Sequence, residues 1–430
     1  MLRFLPPAGT PFDSRLLATA FKSLFTAQKS ACSLASFAAH VRVRHAFGVS
    51  SGRCALWVLL RTLHELLPER SVVVLPAYTC FSVPASVVRA GLKFRLVEIN
   101  SENLDFDYPQ LERSLGNDVL CVISSNLFGI VNDMCRLQGL ARTCGAFVID
   151  DAAQSFGAVR HGRMSGTFGD VGFYSLGRGK PLAGEGGIIV TASDQLAGAI
   201  QNELARLPVA SRKDDVLLFS RLAASMLFLN PQLYWIANSL PFLKLGVTEF
   251  APSFPVGGIT HLAPAILTPL LQSTPRINQI RLRNASFLLQ ALKGNSMFRA
   301  LRPDPDCQPS YLRLPVVAAS SAVRNHVLRE FHRAGIGATP FYPSAICDIE
   351  GIQRYTVGTH LHHLSAENLS QRLLTLPVHP LVQKRDLELM AEILDSSQGN
   401  KGPCRSLVTV NELQGARKAF RTSCRLVGFL

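Results

Sequence analysis

The sequence predicts an α/β fold, in which a large domain carries a mostly parallel sheet and a smaller α/β domain follows it. Between residues 43 and 193, short apolar runs rich in β-branched residues alternate with helical patterns. Alternation of this kind is typical of a parallel sheet with helices on both faces. A shorter alternation follows between residues 311 and 394, and a chain of 430 residues is long enough for two cores.

Six strands are predicted in the large domain because each run is short, apolar and closed by a turn or a polar residue. They cover residues 72–75, 94–99, 119–124, 146–149, 171–175 and 187–191. Helices are predicted between the strands, at residues 55–67, 81–90, 107–115 and 133–144. Ligands of such sheets bind beyond the carboxyl ends of strands, so the residues after 149 and at 175 become candidates for a site.

The second alternation predicts the small domain. A long helix at 276–292 leads into strands at 311–317 and 374–378 and helices at 322–334 and 385–394. We therefore place the large domain at 14–280 and the small domain at 281–396. Residues 397–430 are rich in basic residues and show no periodic pattern, which predicts a poorly ordered basic tail.

An apolar helical insertion is expected at about 205–255. Within it, residues 216–245 are strongly apolar, but Arg221 and Pro241 leave no clean span of about 20 apolar residues. We expect a helical segment that is buried or lies at a subunit interface. The alternatives are a peripheral membrane contact through 216–245, which Trp235 and flanking basic residues favour, and a true membrane span.

The net charge and the cysteine content limit the classes of partner and the cellular location that we expect. The net charge of +14 indicates a solvated basic surface first, with anionic ligands or an anionic membrane surface as the alternatives. No helix-turn-helix, zinc-finger or RNA-binding motif supports a nucleic-acid partner. Ten cysteines form no Cys-x-x-Cys pair, which favours a reducing compartment and predicts no metal site. Residues 1–13 are too short and too rich in proline for a signal peptide, so a cytoplasmic location is expected.

The most informative feature is Asp151-Ala152-Ala153-Gln154 after a buried strand, followed by Lys180 among glycines. A carboxylate at the end of a buried strand is costly unless a cation such as a pyridinium pairs with it. A lysine amine in apolar surroundings is suited to a Schiff base with an aldehyde. The pair predicts pyridoxal 5'-phosphate (PLP) as cofactor. Asp150 is the alternative carboxylate, and a helix-capping Asp151 is the alternative without a cofactor.

A loop of small residues precedes the helix predicted at 55–67, with Gly52 and Arg53 at its end. Free amides and the partial positive charge of a helix N-terminus suit a phosphate, although an ordinary serine-capped helix start is the alternative. Other phosphate motifs do not fit. Pro181 follows Gly179-Lys180 where a phosphate loop has Ser or Thr, and no Gly-x-Gly-x-x-Gly follows the first strand.

Together these motifs resemble the DegT/DnrJ/StrS family of PLP-dependent aminotransferases, which act mainly on nucleotide-linked keto sugars. The resemblance covers about 47–193 and, more thinly, 281–395. The matching stretches are Gly52-Arg53-Cys54-Ala55-Leu56, Leu75-Pro76-Ala77-Tyr78-Thr79, Asp151-Ala152-Ala153-Gln154, residues 169–175 and Gly184-Glu185-Gly186-Gly187.

The resemblance implies fold type I, usually a homodimer with active sites at the subunit interface. It implies that Lys180 is the Schiff-base lysine and proton shuttle, and that Asp151 pairs with the pyridine nitrogen. The other implied contacts, to the ring hydroxyl and the phosphate, come from Gln154, Ser175 and the amides of Gly52 and Arg53.

Three departures from the family pattern stand out. Arg53 replaces a threonine, and its guanidinium can add a charge-assisted contact. Cys80 stands where an aromatic ring usually stacks on the cofactor, with Tyr78 and Phe81 as possible substitutes. The family's Asn-Tyr-Arg-Met stretch, which reaches the partner's cofactor, has no clear equivalent near residues 257–260.

The expected function is transfer of an amino group from an amino acid, with glutamate as the expected donor, to a keto sugar that is linked to a nucleotide. The expected pathways are polysaccharide and secondary-metabolite biosynthesis. Two alternatives stay open: a PLP-dependent sugar dehydratase or other lyase, and a non-catalytic regulatory or scaffold protein that keeps the fold.

Overall fold

The computed structural model describes residues 3–11, 13–25, 30–238, 248–358 and 363–397. The strands are β1 His45–Val49, β2 Val72–Pro76, β3 Lys93–Val97, β4 Val119–Ser125, β5 Phe147–Asp151, β6 Val159–Arg160, β7 Arg163–Met164, β8 Val171–Ser175, β9 Gly187–Thr191, β10 Phe298–Ala300, β11 Cys307–Gln308, β12 Leu314–Ala318 and β13 Leu373–Leu376. The α-helices are α1 Ser14–Ser23, α2 Ser30–Val41, α3 Gly52–Leu66, α4 Ser82–Arg89, α5 Tyr108–Ser114, α6 Met134–Thr143, α7 Asp194–Leu204, α8 Arg212–Phe228, α9 Tyr234–Asn238, α10 Leu262–Ala291, α11 Ser321–Arg333, α12 Leu364–Arg372 and α13 Lys384–Ser396.

The core of the large domain is a seven-stranded sheet in the order β1-β9-β8-β5-β4-β2-β3. Strands β3, β2, β4, β5 and β8 pair in parallel, whereas β9 pairs antiparallel with both β1 and β8. The predicted mostly parallel sheet is therefore confirmed. The sequence analysis missed β1, because this strand is largely half-buried and lacks a run of β-branched residues.

The small domain is built on a three-stranded antiparallel sheet, β10-β12-β13. Helix α10 packs on α13, which also contacts α11, and together they cover this sheet's apolar core. A second three-stranded sheet, β11-β6-β7, links residues 307–308 to residues 159–164 of the large domain. Its two-residue strands are too short to leave a periodic signal in the sequence.

Helix α10 begins 14 residues before the helix predicted at 276–292, at Leu262. Pro269 and Pro275 lie inside it, and a proline within a helix normally removes a hydrogen bond and predicts a break. The buried face of α10, which includes Leu267 and Leu270, packs against α1 and α2. This burial offsets the proline penalty. The predicted domain boundary at 280/281 falls inside α10.

The insertion at about 205–255 contains α8 and α9, and its residues 239–247 lie outside the described part of the chain, as does the tail 398–430. Helix α8 packs against α1 and α10 through buried residues such as Leu218 and Leu222. Its exposed side chains include both charged residues, such as Arg212, Lys213 and Arg221, and large apolar ones. We call the following exposed side chains of α1, the turn after it and α8 the apolar patch: Phe21, Phe25, Val216, Leu217, Met226 and Leu227. In the described segments no helix combines the length and hydropathy needed to cross a bilayer.

Candidate active site

The predicted site residues lie at the carboxyl ends of neighbouring strands. Strand β5 ends at Asp151 and pairs in parallel with β8, which ends at Ser175. On its other side, Asp151 faces Ser125 at the end of β4. The sheet thus brings together residues that are far apart in the sequence, at the edge where ligands of parallel sheets bind.

The two adjacent aspartates have different surroundings. Asp150 is fully buried, and its carboxylate accepts hydrogen bonds from Asn126 Nδ2 at 2.7 Å, Gly166 N at 2.8 Å and Phe168 N at 3.0 Å. Three donors hold this carboxylate inside the protein. Asp151 accepts one backbone hydrogen bond, from Ala153 N at 3.0 Å, and the side chain of Ser125 is a further hydrogen-bond partner. Asp151 is therefore the better candidate to pair with a ligand.

Electrostatic effects connect Asp151 with Lys180. Burial raises the pKa of the Asp151 carboxyl group to about 6, and the positive charge of Lys180 is one of the effects that oppose this rise. Lys180 follows β8, the strand that pairs with the end of β5, so its positive charge acts at the same sheet edge as the carboxyl group of Asp151. The fold brings together the lysine and the carboxylate that the sequence singled out.

The loop that carries Lys180 is held by backbone hydrogen bonds. Leu176 N donates to Gly186 O at 2.9 Å, and Gly184 N donates to Leu176 O at 2.8 Å. The carbonyl oxygen of Lys180 accepts a hydrogen bond of 2.7 Å from Thr10 Oγ1. These contacts position the base of the side chain and leave the amine at a partly exposed site.

Gln154 is buried, and its side-chain amide already has partners in the protein. Its Oε1 accepts from Phe128 N at 3.2 Å, and its Nε2 donates to the hydroxyl of Tyr342 at 2.7 Å. A contact to the cofactor's ring hydroxyl stays a prediction. Tyr342 belongs to the small domain and was not identified from the sequence, where nothing distinguishes it from a core tyrosine.

Helix α3 begins beside Ser175. Ser51 caps the helix, its Oγ accepting from Cys54 N at 3.1 Å. A Cβ atom on Gly52 would lie 2.8 Å from Ser175 Cβ and 2.9 Å from Ser175 Oγ. Only glycine therefore lets the helix N-terminus approach Ser175 this closely, which leaves free amides next to a hydroxyl, as a phosphate requires.

Arg53 lies at this helix start, with its guanidinium 5.0 Å from the centre of the Phe254 ring. Arg89 approaches the same ring at 4.6 Å. The Arg53 guanidinium thus lies against an aromatic ring, where the sequence had suggested an extra charge-assisted contact to the phosphate. The backbone amide of Arg53 stays the candidate phosphate contact. Tyr78 and Phe81, the expected aromatic substitutes for Cys80, both lie next to Tyr342.

Replacing Gly52 with alanine should weaken PLP binding at least about tenfold and lower the free energy of unfolding by about 1–3 kcal/mol, since the new methyl group overlaps Ser175. Gly139→Ala in α6 is the matched control. A Cβ at Gly139 meets nothing within 4 Å, and alanine favours a helix, so stability should rise slightly. PLP titration and urea unfolding measure both effects. Native PLP affinity in Gly52→Ala would contradict the phosphate assignment.

The residues present fit PLP. A buried carboxylate with a raised pKa, a nearby amine and a glycine cradle at a helix N-terminus match the cofactor's ring nitrogen, aldehyde and phosphate. With the sheet topology, they match the fold of PLP-dependent transferases of fold type I. The chain belongs to the DegT/DnrJ/EryC1/StrS aminotransferase family, which matches residues 32–218 and 256–395. PLP is the cofactor of this family.

Known relatives agree with this membership. A UDP-N-acetyl-3-dehydro-alpha-D-glucosamine 3-aminotransferase of Acidithiobacillus ferrooxidans is 25% identical over 82% of this chain and 84% of its own. A pleiotropic regulatory protein of Geobacillus stearothermophilus is 32% identical over 38% of this chain, and the chain spans less than half of it, 44%. The Helicobacter pylori aminotransferase PseC shares the fold, with a TM-score of 0.76 at 16% identity, over 93% of this chain and all of its own.

Proposed function

We propose that this protein is a PLP-dependent aminotransferase that transfers an amino group from an amino acid, with glutamate as donor, to a nucleotide-linked keto sugar. The observation that carries the proposal is the arrangement at the carboxyl edge of the sheet, where the buried Asp151 ends β5, Ser175 ends the neighbouring β8, and the hydrogen-bonded loop with Lys180 follows Ser175. Membership of a family of sugar aminotransferases supports the substrate class.

Each candidate residue has a defined task. When bound, PLP supplies an electron sink for the bonds at the substrate carbon. Asp151 holds a proton at the cofactor's ring nitrogen, and the buried strand ends around it exclude water. The amine of Lys180 takes and returns a proton at the substrate carbon. Acid–base catalysis of this kind contributes roughly 10²–10⁴-fold.

The donor half-reaction tests the proposal. The purified protein should be yellow, and adding glutamate should release 2-oxoglutarate in an amount equal to the protein and bleach the colour. Alanine and aspartate serve as alternative donors. Failure to release a keto acid from any of them would overturn the aminotransferase assignment.

The donor assay separates the regulatory alternative, whereas the dehydratase alternative is separated by whether the sugar gains an amino group or loses a hydroxyl. A dehydratase needs PLP and removes a hydroxyl from its sugar, and the presence of Lys180 favours transamination over that reaction. A regulatory protein would bind PLP and release no keto acid. The Geobacillus relative is named a pleiotropic regulatory protein, which is the reason to test this second alternative.

The apolar patch leads to a prediction on assembly. We propose a homodimer whose apolar patch contacts an anionic membrane surface, because exposed aromatic and aliphatic side chains lie near the exposed cations Lys22, Arg212 and Lys213. Leu217→Ser combined with Leu227→Ser should lower cosedimentation with phosphatidylglycerol vesicles several-fold and leave the dimer mass unchanged. Leu364→Ser, which changes an exposed leucine of the small domain, is the matched control. A fall to monomer mass would instead identify the patch as the subunit interface.

A further inference from the structure

Arg313, just before β12, is a cation without a counter-charge. Its Nη1 donates to Thr339 Oγ1 at 2.9 Å, and its guanidinium lies 5.1 Å from the centre of the Phe341 ring. Its Nε has no hydrogen-bond partner. Within the described ranges, no carboxylate lies within ion-pair distance of this side chain. A charged group in such surroundings is costly unless something pairs with it.

The neighbours of Arg313 connect it to the candidate active site. Phe341 is followed by Tyr342, whose hydroxyl receives the hydrogen bond from Gln154. The ring that Arg313 contacts, Phe341, lies 4.3 Å from the ring of Tyr342, centre to centre. On another side, the charges of Arg313 and Arg178 both act on Tyr234, and Arg178 lies in the Lys180 loop. Arg313 therefore belongs to the surroundings of the Lys180–Asp151 pair.

The backbone that supports Arg313 is strained. Phe128, Tyr311 and Phe341 have positive φ angles of 58°, 38° and 72°, although none is glycine. The three residues lie in one region of the fold. The centres of the Phe128 and Phe341 rings are 4.6 Å apart, and Leu312, which follows Tyr311, donates its N–H to Phe128 O at 2.9 Å. Each such conformation costs free energy, and strain of this kind clusters at ligand sites.

The charge of Arg313 is also unfavourable in the unliganded protein. Burial lowers the pKa of its guanidinium to about 10, with only the hydroxyls of Tyr234 and Tyr342 acting in the opposite direction. An anionic ligand would remove this cost by supplying the missing charge and an acceptor for Nε.

We propose that Arg313 binds an anionic oxygen group of the substrate, either the carboxylate of the amino donor or the diphosphate of the nucleotide-linked sugar. The proposal rests on the proposed function and adds the residue that selects an anionic substrate. The planar guanidinium suits both groups, because each offers two oxygen atoms to a pair of N–H donors.

Calorimetry on the PLP-loaded protein tests the proposal with two probes that do not react: succinate for the donor carboxylate and UDP for the diphosphate. Arg313→Gln should weaken the binding of one probe about 10- to 100-fold, the loss expected for a charged hydrogen bond. Weaker succinate binding identifies the donor as the source, and weaker UDP binding identifies the acceptor. Arg313→Lys keeps the charge but lacks the planar pair of N–H donors, so it should weaken the binding of the same probe by a smaller factor.

Arg299→Gln is the matched control, since Arg299 is an exposed arginine of the small domain whose Nη2 donates to Ser101 O at 3.1 Å. Native affinity of both Arg313 variants for both probes would overturn the inference. If Arg313→Gln does not fold, by its thermal unfolding midpoint, Arg313→Lys decides alone. Release of 2-oxoglutarate from glutamate by the native protein is measured in parallel. If that reaction proceeds and the probes still bind normally to the variants, the inference fails while the proposed function stands.

Discussion

Replacing Lys180 with alanine should lower the rate of transamination by at least about 10³-fold, because the acid–base step at the substrate carbon and the covalent link to the cofactor are both lost. The variant should still fold, since the side chain is partly exposed and the backbone contacts of the loop do not involve the amine. Measured rates of 2-oxoglutarate release from glutamate give the size of the effect.

Borohydride reduction followed by peptide mass mapping provides an independent readout. In the native protein the PLP mass should appear on the peptide that contains Lys180, and it should be absent in Lys180→Ala. Lys93→Ala, which changes an exposed lysine of β3, should retain both the mass and the activity. PLP recovered on any other lysine of the native protein would refute the assignment of Lys180.

Asp151→Asn should cause the second large loss, in PLP affinity or in the rate of turnover. The amide keeps the shape of the side chain and can still accept from Ala153 N, but it cannot hold a proton at the cofactor's ring nitrogen. Loss of one member of a buried charge pair costs about 3–5 kcal/mol, so PLP affinity or turnover should fall about 10²- to 10⁴-fold. Fluorescence titration with PLP and steady-state rates measure the two quantities separately.

The same variant should have the opposite effect on the protein without cofactor. The pKa of Asp151 is raised by burial from 3.8 to about 6, so the folded state holds this proton more tightly than the unfolded state does. The penalty is absent below pH 3.8 and complete above about pH 6. Stability should therefore fall as the pH rises between these values, by on the order of 1–3 kcal/mol.

Asp151→Asn removes this penalty, so at pH 8 the cofactor-free variant should be more stable than the cofactor-free native protein. Urea unfolding at pH 5 and pH 8, with and without PLP, checks the sign. A variant that is less stable than the native protein at pH 8 would show that Asp151 has a structural role. Asp150 has such a role through its three hydrogen bonds.

Much of the large domain follows from local pattern. Strands β8 and β9 match their predicted bounds at both ends, because a run of five residues between turn residues is too short for a helix and favours a buried strand. The motifs around Gly52, Asp151 and Lys180 also lie where the sequence placed them, since the end of a parallel strand is a local property. What the sequence missed here, β1 and the two-residue strands, has little local signal.

By itself, the sequence determined the parallel sheet, the strand-end position of Asp151 and the family, because these depend on periodicity and on short motifs. Only the tertiary structure favours Asp151 over Asp150, since the donors to Asp150 come from two segments that lie far apart in the sequence, at residue 126 and at residues 166–168. It also brings Tyr342 of the small domain to Gln154, and lets α10 continue through its prolines. These features depend on contacts between distant residues, and a local pattern does not encode which distant surfaces will meet.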